Sequence, residues 1–237
     1  MKNLVVVALV AGMMVLASCG NAQKKAEQAK LDSARIADSI AKVQADSARI
    51  ADSLAQIEQA REDSIAKVNA IQLDEDKKRL AVLKKNFEYK EDEFNKIGWY
   101  THKNQTVDNS WNRKCLITHV NSNGYIYLES QYYSEDWIFH TRIEVKIGDN
   151  IYKSEDVPTY SKDNRTQHSS RSVWEKVSYT SGKDNGIIKA IAESGDKPVK
   201  VRFIGREYYS DFTLSNKDKQ AIKDSYELSN LIKKIGE

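Results

Sequence analysis

Asp32-Ser33-Ala34-Arg35-Ile36-Ala37-Asp38-Ser39-Ile40 returns fourteen residues later as Asp46-Ser47-Ala48-Arg49-Ile50-Ala51-Asp52-Ser53-Leu54. Fourteen residues are two heptads. Ile36, Val43, Ile50 and Ile57 stand seven apart, and Ile40, Ser47, Leu54 and Arg61 form a companion row four residues on. Apolar positions alternating at four and three residues are the pattern of a left-handed coiled coil. The motif returns once more as Asp63-Ser64-Ile65-Ala66-Lys67-Val68, eleven residues after Asp52-Ser53-Leu54-Ala55-Gln56-Ile57. An eleven-residue step is a stutter, which locally unwinds the supercoil. Beyond it Leu73, Leu80, Phe87 and Phe94 again run seven apart.

Neither Pro nor Gly occurs from Lys24 to Ile97. One helical stalk is therefore expected over residues 24–97, and about 70 helical residues would extend roughly 105 Å. Asp and Ser are poor helix formers, and the seam contains Ser47 and Arg61. A lone helix of this kind is marginal, so a homo-oligomer or a partner helix is expected through the stalk. The alternative is a fluctuating helical tether without a fixed partner. The seam leaves dimer and trimer equally open.

Outward toward the N-terminus, Met1-Lys2-Asn3 is a short basic segment, and Leu4 to Leu16 is an apolar run. That run is shorter than the ~20 residues of a membrane-spanning helix and fits a secretory signal. It ends in Leu16-Ala17-Ser18-Cys19, which resembles the lipobox of bacterial lipoproteins. The resemblance covers residues 1–20. It implies a signal peptide over 1–18, cleavage before Cys19, a diacylglycerol thioether on the Cys19 sulfur with N-acylation, and a short lipidated linker over 19–23. Two or three acyl chains make such an anchor effectively permanent, because each buried CH₂ adds about 0.8 kcal/mol. Gly20, rather than Asp, resembles an outer-membrane address. No acid precedes Glu27, so the anchor is expected to face the periplasm. A lipidated end followed by an Ala-rich helix also resembles the plan of the major murein lipoprotein. That likeness is architectural and does not carry over covalent attachment to the wall.

Outward toward the C-terminus, composition changes after Ile97, where Gly98 stops the helical pattern and aromatic and β-branched residues take over. Residues 98–237 are expected to form an antiparallel, sandwich-like β-rich domain with a C-terminal helix, making the whole chain α+β. The clearest strand is Trp137–Ile147. In it Trp137, Phe139, Thr141, Ile143, Val145 and Ile147 alternate with His140, Arg142, Glu144 and Lys146, placing His140 on a solvated face. Further strands are expected over 99–103, 115–120, 125–132, 151–153, 173–179, 199–204 and 208–214. A short helix is expected over 186–193. A final helix is expected after Ser215, which can cap it together with Asp218.

The chain has 237 residues and a net charge of +3 spread through mixed-sign sequence. That argues against nucleic acid as a partner. If Cys19 carries lipid, Cys115 has no intrachain disulfide partner and reads as a small buried apolar residue. The four histidines, His102, His119, His140 and His168, match no metal spacing. There is no nucleophile elbow, phosphate loop or dinucleotide fingerprint, so no cofactor is expected.

Two features remain as candidate binding elements. One is the aromatic cluster Tyr125, Tyr127, Tyr132, Tyr133 and Trp137, set against the alternative that these rings pack a core. The other is a long polar loop, Glu155–Ser172, with Arg165, His168 and Arg171, which suit an anionic ligand. The expected function is that of a membrane-anchored envelope lipoprotein presenting a non-enzymatic binding or assembly domain to an envelope protein, a second copy or a glycan. The alternatives are an envelope hydrolase acting on wall or glycan, and a purely structural spacer.

Overall fold

The computed structural model describes residues 22–236, so Leu16, Ala17, Ser18 and Cys19 lie outside the described residues. The chain divides into two compact units, Met1–Val68 and Asn69–Glu237. The architecture is α+β, with a long N-terminal helix, antiparallel strands in two sheets and a C-terminal helix. No helix among the described residues is long and apolar enough to cross a membrane.

Helix α1 runs Ala22–Lys84. Its serines are accommodated locally, because the hydroxyls of Ser33, Ser39, Ser47, Ser53 and Ser64 each donate to a carbonyl three or four residues back. A serine bonded in this way does not draw the backbone out of the helix. Gln28 and Gln59 add (i, i+4) bonds to Asp32 and Asp63, the spacing at which helix side chains meet. Within the first unit, Ile36, Ile40, Val43, Ile50, Leu54 and Ile57 are all more than half exposed.

The helix ends at Lys84, not near Ile97. Phe87–Glu91 forms strand β1, which pairs antiparallel with β2, Gly98–His102. The physical reason is local burial. Leu80, Leu83 and Phe87 pack with Val120, Leu228 and Ile232 in a small satellite core, and strand pairing satisfies the backbone beyond. The seven-residue spacing from Leu80 to Phe94 is therefore not a seam, and Phe94 is 95% exposed. The exposed ring of Tyr89 lies over Gly98, and a side chain there would push that ring aside.

The remaining strands are β3 Cys115–Asn121, β4 Ile126–Ser134, β5 Arg142–Ile147, β6 Asn150–Lys153, β7 Asn164–His168, β8 Val173–Tyr179, β9 Val199–Ile204 and β10 Tyr209–Thr213. One sheet has the order β1-β2-β3-β4-β8-β7 and the other β10-β9-β5-β6. The main core lies between them. It takes Leu116, Leu128 and Val177 from the first sheet, Ile143, Val201 and Phe203 from the second, and Ile187 and Ile191 from helix α2, Ile187–Ala192.

The C-terminal helix, Asn216–Ile235, is capped as its sequence predicts. The Ser215 hydroxyl oxygen accepts the Asp218 N–H, and the hydroxyl donates back to the Asp218 carboxylate. Arg113 donates to both oxygens of that buried carboxylate at 2.6 and 2.8 Å.

Two segments of the domain depart from their sequence patterns. Trp137–Ile147 is not one strand: β5 begins at Arg142. Nor is Glu155–Ser172 one loop, because Asn164–His168 pairs with β8 as the sheet's edge strand. Only Asn164 of those five residues is buried, so the strand shows no apolar alternation.

Candidate functional site

The break at residues 137–141 organises the candidate site. Ile138 and His140 point inward, 6% and 0% exposed, while Phe139 points outward, 49% exposed. This inverts the alternation read from the sequence, and His140 is buried rather than solvated. Phe139 has φ +53°, a left-handed conformation that costs a bulky L-residue roughly 1–2 kcal/mol. The conformation is held by one carboxylate. Glu175 Oε1 accepts the N–H groups of Ile138 and Phe139 at 2.8 and 2.9 Å. Its Oε2 accepts the His140 N–H at 2.6 Å and lies 3.0 Å from His140 Nδ1. The turn between β9 and β10 supports the same place, with the Arg206 N–H reaching the Ile138 carbonyl. A Cβ at Gly205 would collide with that carbonyl oxygen.

His140 Nε2 lies 2.9 Å from Ser130 Oγ, which is 3.3 Å from the Tyr179 hydroxyl. Burial holds the His140 imidazole below its ordinary pKa against the pull of Glu175. Burial also opposes the charge on Glu175, yet the bonds from His140 and the backbone hold it below the usual carboxylate range. The network is then a neutral imidazole donating from Nδ1 to Glu175 and accepting from Ser130, a tautomer assigned from its partners. Serine, histidine and carboxylate stand in the order of a hydrolase triad. All three are buried, His140 and Ser130 at 0% exposure, and the clefts described below are not lined by them. A nucleophile needs a reacting atom within about 3–3.5 Å, and this serine is sealed from one. The chain acts as a clamp that sets the backbone of residues 138–140.

The clamp presents an aromatic platform. Phe139 stacks on Trp137 with ring centres 5.7 Å apart and planes 8° apart, and His168 meets Trp137 edge-on at 6.3 Å. Beside them is a cleft of about 490 Å³ lined by Trp137, His168, Ser169, Ser170, Arg171 and Ser172, among others. Three sequence candidates, Trp137, His168 and Arg171, thus come together. Tyr133 reaches the rim through its hydroxyl, 3.1 Å from Ser172 Oγ.

The other two candidates lie elsewhere. Tyr132 is core, 4% exposed, edge-on to Phe203 and donating to the Asp136 carbonyl. Arg165 donates to the buried Glu129 at 2.5 Å and lines a second cleft with Trp99, Tyr125 and Tyr127. Phe139 and Glu175 were not legible as site residues. The usable signal was a glutamate inside the apolar strand Val173–Tyr179, where an acid is expected only with partners.

The other histidines are separated. His102 pairs with Asp224 at 3.3 Å, and His119 stacks on Tyr127 at 4.7 Å. Among the described residues no group of three or more His, Cys, Asp or Glu converges to hold a metal ion. Cys115 is buried, and burial pushes its thiol up to about 12, far from a nucleophilic thiolate.

The chain matches no protein-family model, no curated protein and no solved structure.

Proposed function

We propose that this protein is a lipid-anchored component of the bacterial envelope, held at Cys19 in the outer membrane and facing the periplasm, whose β-rich domain is a non-enzymatic binding module for envelope glycan. The observation that carries the binding reading is Phe139. A half-exposed aromatic residue is kept at φ +53° by four hydrogen bonds to Glu175. Strain of this kind persists where a surrounding network enforces it, and it clusters at ligand-contact sites. The result is a stacked Trp–Phe pair beside a cleft rich in hydroxyl, imidazole and guanidinium groups. Flat apolar rings next to hydrogen-bonding groups suit the two faces of a sugar, its C–H surface and its hydroxyl edge. A sealed Ser130 weighs against the hydrolase alternative.

Self-association through α1 is part of the proposal. Its apolar row is exposed along the first unit, and a helix carrying such a row is stabilised by a partner with the same period.

The binding test is retention of the full chain, purified in detergent, on washed peptidoglycan sacculi. Trp137→Ala should weaken retention about tenfold with an unchanged circular dichroism spectrum. Equal retention of parent and variant overturns the platform reading and leaves a protein partner as the better one. Cys19→Ala should abolish fatty-acid labelling, and persistent labelling refutes the anchor.

A further inference from the structure

The six-stranded sheet has a second face, turned away from the C-terminal helix. Thr118 of β3 bonds to Ser225 of that helix, so its neighbours His119 and Asn121 face the other way. Strand pairing places Trp99 opposite Asn121, and Tyr127 opposite His119. On this outer face Trp99 meets Tyr127 and Tyr125 edge-on, with ring centres 5.7 and 6.4 Å apart. Tyr127 is backed by the parallel ring of His119, 17° from coplanar, and the Tyr125 hydroxyl oxygen accepts the Ser181 N–H at 2.8 Å. The three aromatic rings are therefore fixed in place, and all three are partly buried with some surface left open.

Polar groups meet this wall across a cleft of about 320 Å³, near the lower end of the range for small-ligand pockets. Arg165 is oriented by the buried Glu129, which also holds the Ser178 hydroxyl. Asp163 is oriented by the Thr180 hydroxyl at one carboxylate oxygen. Lys162 is exposed and makes no ion pair among the described residues. The rings keep an open edge on the same cleft that Lys162, Asp163 and Arg165 line.

We propose that this cleft is a saccharide subsite, separate from the Trp137–Phe139 platform, that takes one pyranose ring against the Trp99–Tyr127 wall. Asp163 accepts from ring hydroxyls, and Lys162 and Arg165 donate to ring substituents. A ring bearing both an apolar C–H face and a hydroxyl edge satisfies each side of the cleft. The two cations add affinity when the sugar carries a carboxylate or a phosphate. The inference stands whether or not the platform binds glycan, because it uses none of the platform's residues.

The test is titration of the full chain in detergent with defined saccharides, read by tryptophan fluorescence and calorimetry. The probes are neutral glucan, chitin and mannan oligomers, oligogalacturonate for carboxylate sugars, and mannose 6-phosphate for phosphate. At least one probe should bind saturably. Trp99→Ala should weaken that binding about tenfold or more, and Lys162→Ala, a surface change without structural consequence, should weaken it roughly threefold or more. Trp137→Ala should leave it unchanged. Loss of affinity in Lys162→Ala for the acidic probes alone supports the subsite and assigns its sugar as acidic. No saturable response to any probe overturns the proposal. So does binding that Trp137→Ala removes while Trp99→Ala and Lys162→Ala leave it intact, a result that supports the platform and excludes this cleft.

Discussion

Glu175 Oε1 accepts the backbone N–H of Phe139 at 2.9 Å, and Phe139 is the residue that adopts φ +53°. The two lie 36 residues apart in sequence. The buried carboxylate satisfies the donors of three successive residues, 138–140, as well as His140 Nδ1. A turn that no local residue favours is thus fixed from across the core.

Replacing that carboxylate should be among the more damaging single changes in the domain. Glu175→Gln removes the charge and sets an amide group against backbone donors. Hydrogen bonds to charged groups contribute about 1.5–3 kcal/mol each, and orphaned buried donors are costly. The expected loss is at least about 3 kcal/mol in urea unfolding. A loss below about 1 kcal/mol would show that the clamp does not hold the segment.

The same network makes the domain acid-sensitive. Burial lowers His140 below its ordinary 6.5, so the folded state favours the neutral ring. The unfolded chain takes up a proton below pH 6.5 that the folded chain refuses. Stability is thus full above 6.5 and falls as pH drops from there toward the folded value, at up to about 1.4 kcal/mol per pH unit and site. His119 shifts in the same direction, also by burial. Glu175, held below its ordinary 4.5, contributes stability above that value that is lost as pH falls through the folded one. Urea midpoints measured from pH 7 to pH 5 should therefore decline. His140→Gln should lower stability overall but flatten that decline, and an undiminished slope would remove His140 as its source.

The exposed row on α1 predicts association. Chemical cross-linking of the full chain in detergent should give a dimer or trimer. Ile50→Asp, at a position 61% exposed in the single chain, should return it to monomer with the β-rich domain still folded. A parent chain that stays monomeric at all concentrations favours the simple tether.

Much of this fold is written in short-range pattern. Val173–Tyr179 and Val199–Ile204 are strands where β-branched residues cluster, and Ser215 with Asp218 marks the last helix by its cap. The two edge strands of the six-stranded sheet escaped because an edge needs no buried face: β1 and β7 each bury only their first residue. The end of α1 was hidden by Leu80 and Phe87, whose seven-residue spacing fits a seam but serves the satellite core. The platform was illegible for a different reason. Trp137, Phe139 and Ile143 alternate as a strand would, and only the long-range bonds to Glu175 overrule that pattern. Of the binding candidates, His168 and Arg171 share the β7–β8 hairpin, and Trp137 joins them because Glu175 of β8 holds the adjacent residues 138–140. Arg165, three residues before His168, belongs to the other cleft.

The most direct measurement compares the parent chain with Phe139→Gly, for both stability and retention on sacculi. Glycine accepts φ +53° freely. Relief of about 1 kcal/mol of backbone strain should offset the lost ring stack, itself about 0.5–1.5 kcal/mol. Stability should then stay within about 1 kcal/mol of the parent, while retention on sacculi weakens about tenfold. Phe139→Gly that is retained as tightly as the parent, or a parent chain that sacculi do not retain, contradicts a strained aromatic platform kept for glycan binding.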